Sequence, residues 1–383
     1  MNDNSTSNDF FENVAKMIEQ ARRFVGRAAD LAMCVTYFEV GRMIVEEEQG
    51  GKARAEYGRG LMRELATYLT EKVGKGFSLS TLKNAKQFYN VYAPSIKQTA
   101  SDTPTEKSQT MLGFFEKDLP TAKSQTMLNH LYPFRLSWSH YIILMRIKND
   151  DERRFYEIEA ASQQWTYRQL QRQYGSSLYE RLALSRDKDE VMRLANEGQQ
   201  MEKSRDMLKN PLVLEFLDLS EDAAYSETDL ETAIISKLSN FLLELGKGFL
   251  FEARQKRFTF DEKHFFVDLV FYNRLLQCYV IIDLKAAELR HQDLGQMQMY
   301  VNYFDRYVKT DYEKPTVGIL LCKKRDSSIV ELTLPEDSNI YASEYNLYLP
   351  DKELLQSKLA EWIEEFEEIH GSERGDELIK QED

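Results

Sequence analysis

Two aspartates and a lysine are placed where they could do chemistry. Asp268 and Asp283 each interrupt an apolar run, FFVDLVFY and CYVIIDLKA, and Lys285 follows two residues after the second. Side chains alternate faces along a strand, so Asp283 and Lys285 point the same way. If the two runs pair as a hairpin around the turn Asn273–Gln277, the midpoint of 268 and 283 falls between Leu275 and Leu276. That register sets Asp268 across from Asp283. Facing carboxylates repel, and burying either one uncompensated is costly. A divalent cation resolves the conflict: oxygens of Asp268, Asp283 and the Leu284 carbonyl suit Mg²⁺ or Mn²⁺, with phosphate as a further ligand. Lys285 beside them could position or deprotonate a water, or steady the charge of a phosphoryl transition state. A plain salt bridge from Lys285 to one aspartate leaves the other acid unexplained.

The flanking pattern supplies elements able to hold these groups. Thr228 with Glu231 three residues on reads as a capping box, opening a helix whose buried face is Leu230, Ile234, Leu238, Phe241, Leu242 and Leu245. On its own, that capping role accounts for Glu231. Three consecutive strands are expected at Phe249–Phe260, His264–Asn273 and Cys278–Ala286, then a helix at His291–Val308 and a buried strand at Pro315–Lys324. This order predicts a mixed α/β domain. Gln296 and Tyr300 lie four apart, on one face of the second helix.

The order of helix with Glu231, strands with Asp268 and Asp283-Leu284-Lys285, helix and strand resembles the PD-(D/E)XK nuclease core, a restriction-endonuclease-like αβββαβ fold. Gln296-x-x-x-Tyr300 resembles the helical motif of its RecB-like branch. Longer stretches resemble the YhcG-like nucleases of bacteria: YFEVGRMIVEEEQ (37–49), GKGFSLSTLKNAKQFY (74–89), LSWSHY (136–141), FLLELGKGF (241–249) and VDLVFYN (267–273). The resemblance implies metal ligation by Glu231, Asp268 and Asp283, catalysis by Lys285, and substrate positioning by Gln296 and Tyr300. It departs at Asp283, where the superfamily often has the longer Glu. The implied activity is metal-dependent hydrolysis of DNA. A non-catalytic DNA-binding adaptor that keeps the fold, or an RNA-directed nuclease, stands as the alternative.

The 383 residues suit two domains. Residues 10–200 read as mainly α-helical, with a flexible insertion at 94–130 in which KSQTML occurs twice; 206–370 read as the nuclease domain, and 371–383 as an acidic disordered tail. The net charge of −13 is unevenly spread: residues 351–383 alone carry −8, whereas 51–98 carry +6. A local basic patch suits a phosphate-bearing partner better than the total suggests. Residues 57–70, a glycine turn at 74–76 and residues 80–92 read as helix, turn, helix. Lys83, Asn84, Lys86 and Gln87 on the second helix, with Arg59 and Arg63 on the first, are candidate DNA contacts. The resemblance adds a winged-helix-like character. The aromatic residues of this half, Trp138 and Tyr89 among them, read as core.

Three widely spaced cysteines form neither a disulfide framework nor a zinc spacing, which points to the cytoplasm. No apolar run is long enough to span a bilayer. No glycine-rich phosphate loop follows a strand, so no nucleotide cofactor is expected. The amphipathic run at 361–369 could dock on the nuclease domain or on a second subunit, making a homo-oligomer compatible with the sequence.

Overall fold

The computed structural model describes residues 3–50, 55–100, 132–184, 188–209, 211–219, 225–325, 327–335 and 338–361. The insertion from 101 to 131, the run from Trp362 and the acidic tail lie outside the described residues. Contacts divide the chain into two units, Met1–Arg153 and Arg154–Asp383.

The first unit contains α1 (Asp3–Gly50), α2 (Ala55–Lys72), α3 (Leu79–Ala100) and α4 (Trp138–Leu144). Leu31, Val35, Phe38 and Ile44 of α1 are buried with Met62 of α2 and with Leu82, Ala85 and Phe88 of α3. α1 and α3 touch closely at Gly41, where a Cβ would sit 2.1 Å from the Ala85 carbonyl oxygen. Any side chain there would force the helices apart. Trp138 stacks on Tyr37 at 4.3 Å, and Tyr89 packs on Phe38 at 5.1 Å, so both expected core aromatics pack against the interior while staying partly exposed. The glycine turn forms, with Gly74 and Gly76 at φ +101° and +127°. α3 continues through Pro94 to Ala100, past the expected start of the insertion. Burial of Phe88, Tyr92 and Ala93 just before the proline outweighs the one hydrogen bond it removes. Among the described residues of this unit there is no strand, so a wing is not found there.

The helix α5 (Asp150–Ser162) crosses the division. The second unit continues with α6 (Tyr167–Gly175), α7 (Leu178–Ala183) and α8 (Lys188–Glu197). Its sheet comprises β1 (Leu212–Val213), β2 (Phe249–Phe260), β3 (Lys263–Asn273), β4 (Cys278–Glu288), β5 (Val317–Lys324) and β6 (Ile340–Asn346) in the order β1-β6-β5-β4-β3-β2. β2, β3 and β4 are antiparallel; β4, β5, β6 and β1 run parallel. Helices α9 (Glu227–Ser236) and α10 (Leu238–Leu245) cover one face, meeting Leu269, Phe271, Ile282 and Leu284. Helix α11 (His291–Tyr307) covers the other, meeting Val270, Ile281 and Leu320; α12 (Ser327–Thr333) follows β5. β1, β6 and α12 were not foreseen from the sequence.

The boundary expected near residues 201–211 differs from this division, and buried ion pairs are the reason. Glu244 of α10, fully buried, takes Arg181 Nη1 at 2.7 Å and Arg172 Nη1 at 2.9 Å. Glu159 of α5 takes Lys247 Nζ at 2.7 Å. Gln173 donates to the Leu243 carbonyl at 3.0 Å. Helices α6 and α7 are thereby fastened to the sheet of the second unit. Arg172 of α6 is nearly enclosed by these contacts.

Candidate active site

The β3–β4 ladder pairs Asn273 with Cys278 through to Leu269 with Ile282, which is the register the hairpin midpoint predicted. One step further, at Asp268 and Asp283, the paired ladder ends. There the Leu284 N–H donates to Asp268 Oδ2 at 2.8 Å. The two carboxylates therefore sit together at the open end of a rigid hairpin. Asp283 alternates with Ile282 and Leu284, and so lies on the face covered by α11.

Lys285 Nζ stands 2.7 Å from Asp283 Oδ2 and 3.9 Å from both Glu227 Oε2 and Asp293 Oδ1. The Asp283 oxygen is buried, and Lys285 approaches it without the alignment of a hydrogen bond. Burial, then the charge of Asp268, pushes the Asp283 carboxyl up to about 7. Asp268 is also raised, by burial above all, while the Leu284 N–H and Gln255 amide pull the other way. Burial would lower Lys285, but Asp283, Glu227 and Asp293 together hold it above the usual lysine range. Lys285 is thus a cation near neutral pH, suited to attracting an anion or fixing a water rather than to removing a proton.

Glu231 is buried on α9, though not as a capping residue. The helix starts two residues earlier than expected, with Ser226 as N-cap and Asp229 closing the box. This frees Glu231 for the site. It forms an ion pair with Arg254, and Gln255 Nε2 donates both to Glu231 Oε2 at 2.5 Å and to Asp268 Oδ1 at 3.0 Å. One amide therefore bridges two of the expected metal-binding carboxylates. The helix expected to run from Thr228 to Leu245 breaks at Lys237, separating α9 from α10.

Gln296 donates to the Tyr300 hydroxyl across one turn of α11. Tyr300 is buried, and burial together with the charges of Asp283 and Asp268 raises its phenol. Glu231, Asp268, Asp283, Lys285, Gln296 and Tyr300 thus fall in one region. Among the described residues no three acidic, histidine or cysteine side chains converge as a ready cation cage. A buried and a half-buried carboxylate, both with raised pKa values and one with an oxygen lacking an aligned donor, nonetheless match the chemistry of a divalent-cation site.

A family model described as the YhcG PDDEXK nuclease domain matches residues 205–360, and the DUF1016 N-terminal domain matches 13–181. A protein of Escherichia coli (strain K12) named "Putative nuclease YhcG" is 37% identical over 352 residues, covering 91% of this chain and 92% of its own length. The chain belongs to the YhcG family of PDDEXK nucleases. Two solved structures also match in part. A repair endonuclease from Pyrococcus abyssi is 20% identical, with 34% of this chain and 50% of that one covered and a TM-score of 0.23. The EndoMS–dsDNA2 complex is 19% identical, with 35% and 49% covered and a TM-score of 0.25. The chain thus spans about half the length of each of these two structures.

Within this family member, sequence reasoning missed Gln255, Arg254, Glu227 and Asp293. Glu252 is an extra residue on β2, displacing the pairing between Phe251 and Ala253. Gln255 then adopts a left-handed backbone at φ +48°, costly for a residue with a side chain and frequent at functional sites. No periodicity in FLFEARQ announces that bulge. Replacing Gln255 by alanine removes the bridging amide while leaving every carboxylate in place. Divalent-cation affinity, read by Mn²⁺ titration, is expected to change by roughly 10-fold or more; an unchanged affinity would mean that the amide has no bearing on the carboxylates.

The candidate DNA contacts are distributed unevenly. Lys83 and Arg63 are exposed and Asn84 is half-buried. Lys86 is paired with Glu48, and Gln87 donates to the Met145 carbonyl at 2.8 Å, so both serve the unit's own structure. The side chain of Arg59 lies outside the described residues. No described helix is long and apolar enough to cross a membrane.

Proposed function

We propose that the second unit hydrolyses phosphodiester bonds of DNA with a divalent cation, Mg²⁺ or Mn²⁺, and that the first unit holds the DNA. The observation that carries this reading is the meeting of Asp268, Asp283 and Lys285 at the open end of the β3–β4 hairpin. Asp268, Asp283 and the Leu284 carbonyl would hold the cation, with Glu231 assisting directly or through water. Once bound, such an ion polarises a phosphate oxygen and acidifies a water. Asp268 is kept in place by the Leu284 N–H, and Asp283 by a strand buried on both faces. Lys285 remains protonated, orients the attacking water and offsets charge building on the phosphate. Gln296 and Tyr300 position the substrate from α11. Lys83, Arg63 and Asn84 supply contacts to the DNA backbone and groove edges.

Cleavage of supercoiled, linear and branched DNA should be measured with Mg²⁺ or Mn²⁺ and with chelator, for wild type, Asp268→Asn and Asp283→Asn. Metal-dependent cutting is expected in the wild type, with a fall of at least about 1,000-fold in either variant. The same variants should lose the thermal stabilisation that the cation confers on the wild type. DNA binding without cutting would transfer the reading to the non-catalytic alternative. Preferential cutting of RNA of the same sequence would transfer it to an RNA-directed nuclease.

A further inference from the structure

The first part of α1 is an amphipathic helix standing clear of its own unit's core. Phe10, Phe11, Val14, Met17, Ile18, Ala21, Phe24, Val25 and Ala28 recur at three and four, and fall within an arc of about 140° at 100° per residue. From Leu31 onward α1 buries Leu31, Cys34, Val35 and Phe38 in the core, whereas in this first part Phe11 is 63%, Met17 64% and Phe24 56% exposed. Glu12, Lys16, Glu19 and Arg23 occupy the opposite side, with Arg23 and Glu19 paired at 3.7 Å. A contiguous apolar surface of this kind is unusual on a monomer.

We propose that this face is where two copies of the chain pair, α1 against α1, in antiparallel orientation. Charge selects the orientation. Residues 9–19 carry a net −2, and residues 20–29 carry +3 from Arg22, Arg23 and Arg27. Parallel alignment would set three arginines beside three arginines. Antiparallel alignment sets the acidic half beside the basic half, and opposes the two helix dipoles. One register pairs eight of the nine apolar residues: Phe10 against Val25, Phe11 against Phe24, Val14 against Ala21, and Met17 against Ile18 across the two-fold axis. The exposed stretch of helix from Phe10 to Asp30 is about 32 Å long at ~1.5 Å per residue. Two such rods joined along an aromatic seam bury an area on the order of the ~1,200 Å² at which specific interfaces begin. The result is self-complementary, as a two-fold interface must be.

Mass in solution, measured for the full chain by light scattering at micromolar concentration, should be that of two chains. The double variant Phe11→Glu and Phe24→Glu should be monomeric, with the core of α1 to α3 still protected against hydrogen exchange because both side chains lie outside that core. Orientation is read by oxidative cross-linking. Phe11→Cys and Phe24→Cys proteins, when mixed, should link to each other, and neither should link to itself. Monomeric wild type would overturn the proposal, pointing to another segment of the chain as the cover. A double variant that stays dimeric, or self-linked Phe11→Cys, would overturn it equally.

Discussion

Lys285→Met is expected to reduce the rate of cleavage by roughly 100- to 1,000-fold while leaving cation binding intact. The magnitude follows from removing one charged group aimed at developing negative charge in an enclosed site. Methionine fills the space of the lysine stem and removes only the ammonium. In the wild type that ammonium lies 2.7 Å from Asp283, partly compensating the charge that Asp268 opposes. Without it the two aspartates repel more strongly, so a divalent cation should bind at least as tightly as before. The paired measurements are a single-turnover cleavage rate and an Mn²⁺ binding constant. A fall in rate with unchanged or tighter cation binding assigns Lys285 to the chemistry. Equal losses in both would assign it to holding the site together, and an unchanged rate would remove it from the mechanism. Lys285→Arg keeps the charge on a bulkier, planar head, and should recover part of the rate.

Local pattern carried the central geometry because a hairpin with a short turn has few registers available. Moving Asp268 away from Asp283 would need a turn longer or shorter than Arg274–Gln277, so the turn residues between the two apolar runs fix the register. The helix start was less legible. Both Ser226-x-x-Asp229 and Thr228-x-x-Glu231 satisfy the capping pattern, and only the fold shows that the first is used. Gln255 reaches the site through a bulge that no two-residue period reports. The division after Arg153 rests on contacts between residues 60 or more apart in sequence, Arg181 with Glu244 and Glu159 with Lys247. Charge patterning assigns such side chains to solvent because it has no knowledge of their partners. The two family models meet between residues 181 and 205, so helices α6 and α7 belong by sequence to the N-terminal family region and by packing to the nuclease sheet.

That packing leads to the largest effect on stability, expected for Glu244→Ala. Glu244 is completely enclosed and accepts from Arg181, Arg172 and the Val213 N–H at 2.7, 2.9 and 3.1 Å. Lys209, equally enclosed, donates to its main-chain carbonyl. Burial would raise the Glu244 carboxyl, but Arg181, Arg172 and Lys209 outweigh it and hold it at about 2. Truncation leaves Arg181 buried with no acidic partner, which costs about 3–5 kcal/mol, far more than the pair itself contributes. Protection of the β4 and β5 amides against hydrogen exchange should fall accordingly, while α1 to α3 stay protected. Replacing the carboxylate together with its arginines by apolar residues of similar volume should recover much of the loss; if it did not, cavity formation rather than stranded charge would be the cause. The cluster also predicts an unusual dependence on pH. Burial, reinforced by Arg181 and Arg172 against the pull of Glu244, pushes Lys209 down to about 8. Between about 8 and the unfolded value near 10.5 the unfolded chain binds the extra proton, so this group makes the second unit more stable as pH rises. Glu244 acts at the other end, its contribution being lost as pH falls from about 4.5 toward 2. Melting of the second unit followed from pH 7 to 9.5 should therefore show a rising contribution that Lys209→Met abolishes, and a wild-type profile indistinguishable from that of the variant would mean that Lys209 stays charged in its buried seat.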